Sequence, residues 1–242
     1  MNKHSVISLL FAIACLLAFV CQAPIYLYSI AAFCYLALTA WGVFDIRLSY
    51  FLKTQYFLKG RPKKTVVLTF DDGPTELTSQ FLDLLQQYNA KAIFFCVGEQ
   101  IKKYPELIQR MHSEGHRIGN HTFSHQPKNT FSSTNLQNEI RRTDEVLEKL
   151  NIETTLFRPP YGVTNPPIAR AIRAAQKETI GWDIRSLDTI IQNDDKLFRR
   201  IVRKLSNGNI ILLHDKSTRT LRVLERLLQY LKENNFTITN NL

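Results

Sequence analysis

Cysteine is too sparse in this chain to support a disulfide framework. Of the four cysteines in 242 residues, three lie in apolar N-terminal segments, which leaves Cys96 alone in the rest of the chain. A disulfide-stapled domain needs cysteines in pairs. Cys96 ends the apolar run 92–96, where a cysteine is more often a small buried hydrophobic residue than a nucleophile. We therefore expect a fold that a hydrophobic core stabilises.

Charged side chains are absent from residues 6–44, which form two apolar runs on either side of Gln22-Ala23-Pro24. A polar residue close to a helix-breaking proline predicts two helices joined by a tight turn. The second run, 25–44, has the roughly 20 residues that a membrane-spanning helix needs, whereas the first, 6–21, is short and also resembles a cleaved secretory signal. We expect residues 1–45 to form a membrane anchor of one or two transmembrane helices, arranged as a hairpin.

Basic residues follow the second apolar run and predict a basic juxtamembrane linker over residues 46–62. The chain has 31 lysines and arginines against 21 acidic residues, a formal net charge of +10. The cations nearest the second run are Arg47, Lys53, Lys59, Arg61, Lys63 and Lys64. Cations beside a membrane span favour the cytoplasmic side and anionic lipids. We expect a bacterial inner-membrane protein that contacts membrane lipid, with its folded domain on the cytoplasmic face. No aromatic-rich RNA-binding motif accompanies the charge, so nucleic acid is not an expected partner.

Short apolar runs rich in β-branched residues alternate with longer amphipathic runs over residues 63–242, which is typical of a βα fold. The predicted strands are Thr65 to Phe70, Lys91 to Val97, Arg117 to Asn120, Thr155 to Phe157, Thr179 to Trp182, Asn209 to Leu213 and Phe236 to Thr239. The clearest predicted helices are Phe81 to Tyr88, Leu136 to Leu150 and Leu221 to Leu231. About seven strands fit either a small, incomplete βα barrel or an open doubly wound sheet.

Polar residues cluster where the predicted strands end, at the edge on which both architectures build their ligand sites. These residues are Asp71, Asp72, His121, His125, Arg158, Trp182, Asp183, His214 and Asp215. A metal that acts in hydrolysis needs about three protein ligands and an open position, and Asp72, His121 and His125 supply such a set. Adjacent aspartates on an extended strand point to opposite sides, so Asp71 and Asp72 are expected to have different roles. The sequence lacks His-Glu-x-x-His, which argues against a zinc protease.

Four short motifs occur in order along the chain. They are Thr-Phe-Asp-Asp-Gly-Pro at 69–74, His-Thr-Phe-Ser-His at 121–125, Arg-Pro-Pro-Tyr at 158–161 and Leu-Leu-His-Asp at 212–215. In these motifs the chain resembles the polysaccharide deacetylase family, also called carbohydrate esterase family four or the nodulation-type deacetylase domain. The resemblance covers about residues 63 to 240. It implies a distorted βα barrel and metal-dependent removal of acetyl groups from N-acetylated sugars.

The resemblance also implies a role for each motif residue. Asp71 is expected to be the general base and His214 the general acid, and the expected ligands of a divalent metal are Asp72, His121 and His125. Zinc is the first expectation for this metal, and cobalt, nickel and iron also suit the ligands. Around the reacting group, the resemblance implies an orienting Arg158, an oxyanion-binding Tyr161 backbone N–H, and an acetyl pocket formed by Trp182 and Leu212.

One position departs from the family pattern. In many relatives an aspartate that tunes the catalytic histidine stands where this chain has Arg185. Asp183 and Asp188 are the two carboxylates near enough in sequence to replace it. An unpaired Arg185 beside His214 is expected to lower the pKa of that histidine and to weaken it as an acid.

The expected function is that of a membrane-anchored N-deacetylase that acts on N-acetylhexosamine units of a glycan or of a lipid-linked sugar. One alternative on the same scaffold is an O-acetyl esterase or another amidase. A second alternative, of a different class, is a non-catalytic, membrane-tethered glycan-binding protein. The intact set of Asp71, Asp72, His121, His125 and His214 speaks against this last alternative, and only Arg185 favours it.

Overall fold

The computed structural model describes residues 2–61 and 64–242. Two apolar helices, α1 (Lys3–Val20) and α2 (Ile25–Phe44), precede a curled sheet with surrounding helices. The strands are β1 (Thr54–Gln55), β2 (Thr65–Asp71), β3 (Ile93–Cys96), β4 (Arg117–Asn120), β5 (Leu156–Phe157), β6 (Glu178–Ile180), β7 (Ile184–Arg185), β8 (Asn209–His214) and β9 (Thr237–Ile238). The other helices are α3 (Thr78–Gln87), α4 (Gly98–Lys103), α5 (Pro105–Ser113), α6 (Ser133–Glu148), α7 (Pro166–Ala174), α8 (Asp194–Val202) and α9 (Thr218–Glu233), with 3-10 turns at Ile46–Leu48, Pro127–Phe131 and Pro160–Gly162.

The sheet runs in the order β1-β6-β5-β4-β3-β2-β8-β7, with β9 paired to the start of β2. The pairs of named strands are parallel throughout the described part of the chain. Since β1 and β7 stand at opposite ends of this order, the sheet curls into a half-barrel that does not close. This confirms the predicted incomplete barrel and excludes the alternative fold, an open doubly wound sheet.

The predicted elements are present, and their ends differ for local reasons. All seven predicted strands occur within two residues of their expected limits, but the sequence does not predict β1 and β7. Two residues are too few for the alternation that marks a strand. The three predicted helices, α3, α6 and α9, begin three residues earlier than their apolar stripes. Serine caps set two of these starts, because Ser132 accepts from the Asn135 N–H and Ser217 from the Thr220 N–H.

The central strand β2 is buried along its whole length between β3 and β8. Its side chains alternate between two apolar clusters. Val66, Leu68 and Phe70 pack with the surrounding helices, whereas Val67 lies in a second cluster with Phe95 and Leu212 on the inner face of the half-barrel. Asp71, four positions beyond Val67, therefore belongs to the inner face, where a ligand site is expected.

The segment predicted as a linker is folded against the half-barrel instead. Ile46 and Leu58 are buried in the inner cluster, Phe51 is buried against α7, and β1 extends the sheet by pairing with β6. The physical reason is that apolar residues alternate with the cations, so that the apolar ones are buried while Lys53 and Lys59 remain exposed. Residues 62 and 63, the predicted boundary between linker and catalytic domain, lie outside the described residues.

The two apolar helices form a hairpin whose ends meet the half-barrel. The Ser8 and Tyr35 hydroxyls lie 2.9 Å apart between α1 and α2. At the start of α1, Lys3 Nζ donates to the carbonyl of Leu48 at 2.7 Å. Both helices are long and apolar enough to cross a membrane, and of their described residues only Gly42 is buried. The structure thus contains the two candidate spans that the sequence predicts.

Candidate active site

Neighbouring strand ends place the predicted base and the predicted acid side by side. Asp71 is the last residue of β2, His214 is the last residue of β8, and the two are partners in the parallel register of these strands. Asp72 follows with a φ of +72°, a left-handed conformation that non-glycine residues rarely adopt. The chain thus turns sharply after Asp71, and the two neighbouring carboxylates face different partners.

Asp72, His121 and His125 form a cluster that could hold a metal ion. Asp72 Oδ1 lies 3.3 Å from Nε2 of His121 and 3.3 Å from Nε2 of His125. A tetrahedral metal with bonds of about 2.0–2.1 Å holds its ligand atoms about 3.3 Å apart, which matches both distances. The three ligand atoms lie within 4.8 Å of one another. The donor set therefore fits a divalent metal such as zinc.

The second nitrogen of His121 is fixed by a backbone group. His121 Nδ1 lies 2.7 Å from the carbonyl oxygen of Arg158, so Nδ1 carries the proton and donates it to this acceptor. That tautomer leaves the Nε2 lone pair free toward Asp72, as in many metal-binding histidines. His125 has a φ of +53°, and its ring lies 4.8 Å from that of Tyr161. The loop conformation, not a helix, brings the two histidines together.

The protonation states of the cluster also suit metal binding. Burial alone would raise the pKa of Asp72, but its interactions with His121, His125 and the Lys216 ammonium hold it well below its usual range. Burial, together with the charge of His121, lowers the pKa of His125 to about 4. At neutral pH the cluster therefore offers a carboxylate and a neutral imidazole.

Arg158 is completely buried and holds Asp71 in place. Its Nη1 donates to Asp71 Oδ1 at 2.7 Å and to Thr69 Oγ1 at 2.8 Å. The remaining donors reach the carbonyls of Ile180 at 2.9 Å and Gly181 at 2.8 Å. Because burial penalises the charged guanidinium, the pKa of Arg158 is lowered, although Asp71 opposes this change. Arg158 therefore makes the contact to Asp71 that the family resemblance implies, while its part in a reaction stays a prediction.

Asp188 is the carboxylate that contacts His214. Its Oδ1 lies 2.9 Å from His214 Nδ1, and its Oδ2 accepts from the His214 backbone N–H at 2.7 Å. Burial disfavours the charged imidazole, but the Asp188 hydrogen bond and charge outweigh burial and raise the pKa of His214. The expectation that Arg185 lowers this pKa is wrong, because Arg185 is exposed and makes no described contact with His214.

Asp183 does not take the tuning role. Its carboxylate accepts from the Ile210 backbone N–H at 2.8 Å and from the Asn209 side-chain amide. Burial raises the pKa of Asp183 despite these hydrogen bonds. Of the two carboxylates that the sequence leaves open, the structure therefore selects Asp188 as the partner of His214, and Asp183 ties the chain before β7 to the start of β8.

The candidate site opens into a cavity of about 180 Å³. Its walls include Trp182 and Leu212, both nearly buried, and Tyr161, which is exposed. Tyr161 has a φ of +61°, and its backbone N–H donates to no group in the described ranges. Gly162 follows with a φ of +68°, and a Cβ at this position would overlap the Trp182 ring. The structure thus brings together the residues predicted from the four motifs.

Several supporting residues are not predicted from the sequence. Lys216 Nζ lies 2.6 Å from Asp72 Oδ2, the other oxygen of the carboxylate whose Oδ1 is near His121 and His125. Ser186 and Thr220 donate their hydroxyl protons to Asp188 at 2.9 Å and 3.1 Å. Lys216 lies two residues beyond the end of β8, so the rule that strand ends carry the site would have found it. Ser186 and Thr220 give no such signal, because only the tertiary fold brings them to Asp188.

Comparison with known proteins agrees with this fold and site. The family model described as polysaccharide deacetylase matches residues 59–180. A peptidoglycan-N-acetylglucosamine deacetylase of Bacillus cereus is 34% identical over 180 residues, which cover 72% of this chain and 84% of that protein. The chain therefore belongs to the polysaccharide deacetylase family. This places it among hydrolases of carbon–nitrogen bonds other than peptide bonds, as the sequence predicts.

Two further similar proteins with solved structures are a peptidoglycan deacetylase and a pseudoenzyme. The peptidoglycan deacetylase PdaC of Bacillus subtilis has a solved structure that is 30% identical with a TM-score of 0.69, covering 73% of this chain and 87% of that chain. Within the full PdaC sequence the matching region is only 32% of the length. BA3943 of Bacillus anthracis, described as a pseudoenzyme of this family, is 27% identical with a TM-score of 0.69, covering 76% of this chain and 65% of that chain.

Proposed function

We propose that the chain is a membrane-anchored, metal-dependent deacetylase that removes N-acetyl groups from N-acetylhexosamine units of a cell-envelope glycan or glycolipid. The single observation that carries the proposal is the shared cavity. It joins a potential metal site, a carboxylate held by a buried arginine, and a histidine held by a buried carboxylate. Hydrolysis of an unactivated amide needs a base, an acid and stabilisation of the oxyanion, and this cavity provides groups for each.

A divalent metal bound by Asp72, His121 and His125 would polarise the acetyl carbonyl and make water easier to deprotonate. Asp71 accepts the proton of the attacking water at a carboxylate oxygen, while Arg158 keeps its other oxygen fixed at 2.7 Å. The Tyr161 backbone N–H donates to the developing oxyanion. His214 Nε2 then donates a proton to the sugar nitrogen, which is a poor leaving group unless protonated.

The pocket walls suit an acetyl group. Trp182 and Leu212 offer an apolar surface beside the polar groups, and the Trp182 ring lies 5.4 Å from the Arg158 guanidinium carbon. A methyl group can pack against this surface while its carbonyl faces the cluster of Asp72 and the two histidines. The same walls would accept an O-acetyl ester, so an esterase remains the alternative with the same mechanism.

The fold alone does not establish catalysis, since the pseudoenzyme BA3943 has a similar fold. The non-catalytic alternative predicts gaps in the machinery. In this chain the base, the acid and the three potential ligands line one cavity, and two buried residues outside its lining, Arg158 and Asp188, hold the base and the acid in place. These contacts support an active enzyme over a glycan-binding protein.

The hairpin supports a location at the membrane. Cleavage after α1 would remove Asn2, whose Nδ2 donates to the Phe51 carbonyl at 2.8 Å, and Lys3 with its contact to Leu48. We therefore propose that α1 is retained with α2 as an anchor. The turn between the helices has no charged residue, whereas the half-barrel side carries the cations. By the positive-inside rule, this favours a catalytic domain on the cytoplasmic face of a bacterial inner membrane.

Acetate release by the full-length protein in detergent tests the reaction. We expect release from N-acetylglucosamine oligomers that requires added zinc or cobalt and stops with a chelator. An O-acetylated sugar of the same length serves as the matched substrate. Preferred hydrolysis of the ester would favour the esterase, and metal binding without hydrolysis of either substrate would favour the non-catalytic protein.

A further inference from the structure

A second cavity of about 230 Å³ lies between the end of the membrane helix α2 and the candidate active site. Its lining is mostly charged and includes residues at the end of α2 and residues near the candidate active site. The lining residues are Phe44, Asp45, Ile46, Arg47, Trp182, Asp183, Arg185, Arg200 and Lys204. We call this cavity the junction groove.

The junction groove and the cavity of the candidate active site share part of their walls. Trp182 and Arg185 line both cavities. Trp182 separates the two as a nearly buried aromatic wall, and Arg185 is exposed at their shared rim. A ligand that places its acetyl group beside Trp182 can therefore extend past Arg185 into the groove.

Positive charge prevails in the junction groove after its ion pairs are accounted for. Arg47 is paired with Asp45 at 2.7 Å, whereas the Asp183 carboxylate keeps its negative charge, because its partners Asn209 and the Ile210 N–H are neutral. Three further cations of the groove, Arg185, Arg200 and Lys204, form no ion pair with a carboxylate of the described residues, and together they exceed the single charge of Asp183. Arg200 Nε donates to the neutral Arg185 carbonyl at 3.1 Å. Such a cluster favours an anionic ligand, and arginine favours phosphate in particular.

The junction groove also lies at the level where α2 would leave a membrane. Phe44, at the end of α2, is 76% exposed, and Trp41, one turn earlier, is 58% exposed. Aromatic residues at these positions are typical of the membrane–water interface. The end of α2 is fixed to the loop that carries Tyr161, because Thr164 donates to the carbonyls of Val43 and Gly42, each at 2.9 Å. The membrane end of α2 is therefore held against the loop that supplies part of the active-site wall.

We propose that the junction groove binds the phosphate of a substrate in which the N-acetylated sugar is joined through phosphate to a membrane lipid. The sugar occupies the candidate active site, the phosphate contacts Arg185, Arg200 and Lys204, and the lipid chain follows the exposed face of α2 into the bilayer. This inference rests on the proposed deacetylase function and specifies its substrate class. A soluble nucleotide-linked sugar offers the same phosphate chemistry without the lipid, so the test must separate the two.

The test compares acetate release by the metal-loaded, full-length protein in lipid nanodiscs on three substrates that carry N-acetylglucosamine. These are a pyrophosphate-linked polyprenol, a uridine diphosphate sugar and a neutral tetramer. The test variants are Lys204→Glu, which reverses an exposed unpaired charge, and Arg200→Ala combined with Lys204→Ala. Lys232→Glu on α9, another exposed lysine, is the matched control. Thermal unfolding verifies that each variant is folded.

We expect the polyprenol substrate to have the highest kcat/KM. Its ratio to the kcat/KM of the neutral tetramer should fall about tenfold or more in the two test variants, mainly through KM, as expected for the loss of a charge-assisted contact to phosphate. Lys232→Glu should leave the ratio unchanged. Equal use of the nucleotide sugar would overturn the lipid assignment, and an unchanged ratio in folded test variants would overturn the groove. Release from the tetramer alone would overturn this inference but not the deacetylase function, whereas release from none of the three would contradict both.

Discussion

Asp188 holds His214 through both carboxylate oxygens, one on the ring Nδ1 at 2.9 Å and the other on the backbone N–H at 2.7 Å. The carboxylate is itself buried and bound by Ser186 and Thr220. This arrangement fixes the His214 ring and leaves Nε2 on the side of Asp72, whose Oδ2 lies 3.9 Å away. The histidine is thereby oriented to act as an acid in the shared cavity.

The Asp188 contact predicts a pH effect. Because Asp188 raises the pKa of His214, the protonated acid persists to higher pH than it would alone, and activity should fall as pH rises through that pKa. In Asp188→Asn the pKa of His214 drops, so this alkaline limb should move to lower pH, with kcat reduced on the order of 10²-fold. Rate profiles of acetate release against pH measure both effects. Asp183→Asn is the control and should leave the alkaline limb of the pH–rate profile at the same pH. If Asp188→Asn also left this limb at the same pH, the result would contradict the role of His214 as the acid.

Metal binding should depend on Asp72. Asp72→Ala removes the carboxylate that lies 3.3 Å from both histidine nitrogens, and we expect zinc affinity to fall on the order of 10²-fold or more. Isothermal titration calorimetry of the full-length protein measures this loss. His112→Ala, which changes an exposed histidine on α5, should bind one zinc ion as the unchanged protein does. Undiminished affinity in Asp72→Ala would show that the metal lies elsewhere.

Gly162 should be sensitive to a single added methyl group. Gly162→Ala places a Cβ against the Trp182 ring at a φ of +68°, so the ring must shift or the loop must change. We expect a loss of stability of about 1–3 kcal/mol and a higher KM for the acetylated sugar. Gly60→Ala is a matched control, because Gly60 also has a positive φ, +71°, but nothing within 4 Å of the added Cβ. Equal KM values for the two variants would show that Trp182 does not shape the pocket.

The segment between the hairpin and β2 should contribute to stability. Ile46 is 3% exposed in the cluster with Trp182 and Leu212, so Ile46→Ala is expected to cost about 2–4 kcal/mol in the free energy of unfolding. Lys53→Ala, at an exposed position, should change it by less than about 0.5 kcal/mol. Denaturant unfolding in detergent compares them. If Ile46→Ala changed the free energy of unfolding as little as Lys53→Ala does, the segment would behave as a free linker, against this account.

The half-barrel and most of the candidate site could be predicted from the sequence, because strand ends converge physically on one edge. Asp71 and His214 could be predicted from their positions at the ends of β2 and β8. The role of Asp188 could not be separated from that of Asp183, since it depends on how the chain turns after β7 and on hydroxyls from Ser186 and Thr220. The cations around Ile46 and their position beside a membrane span predict a linker for this segment, although apolar and aromatic residues outnumber the cations there.

The central claim is that Asp71 and the metal cluster act together on an acetylated sugar amide. Asp71→Asn tests it most directly, because the amide can keep the contact to Arg158 but cannot accept a proton as a carboxylate does. The account predicts that the full-length variant binds one zinc ion with unchanged stoichiometry while zinc-dependent acetate release falls on the order of 10³-fold. Acetate release at the unchanged rate by the folded, zinc-bound variant would contradict it.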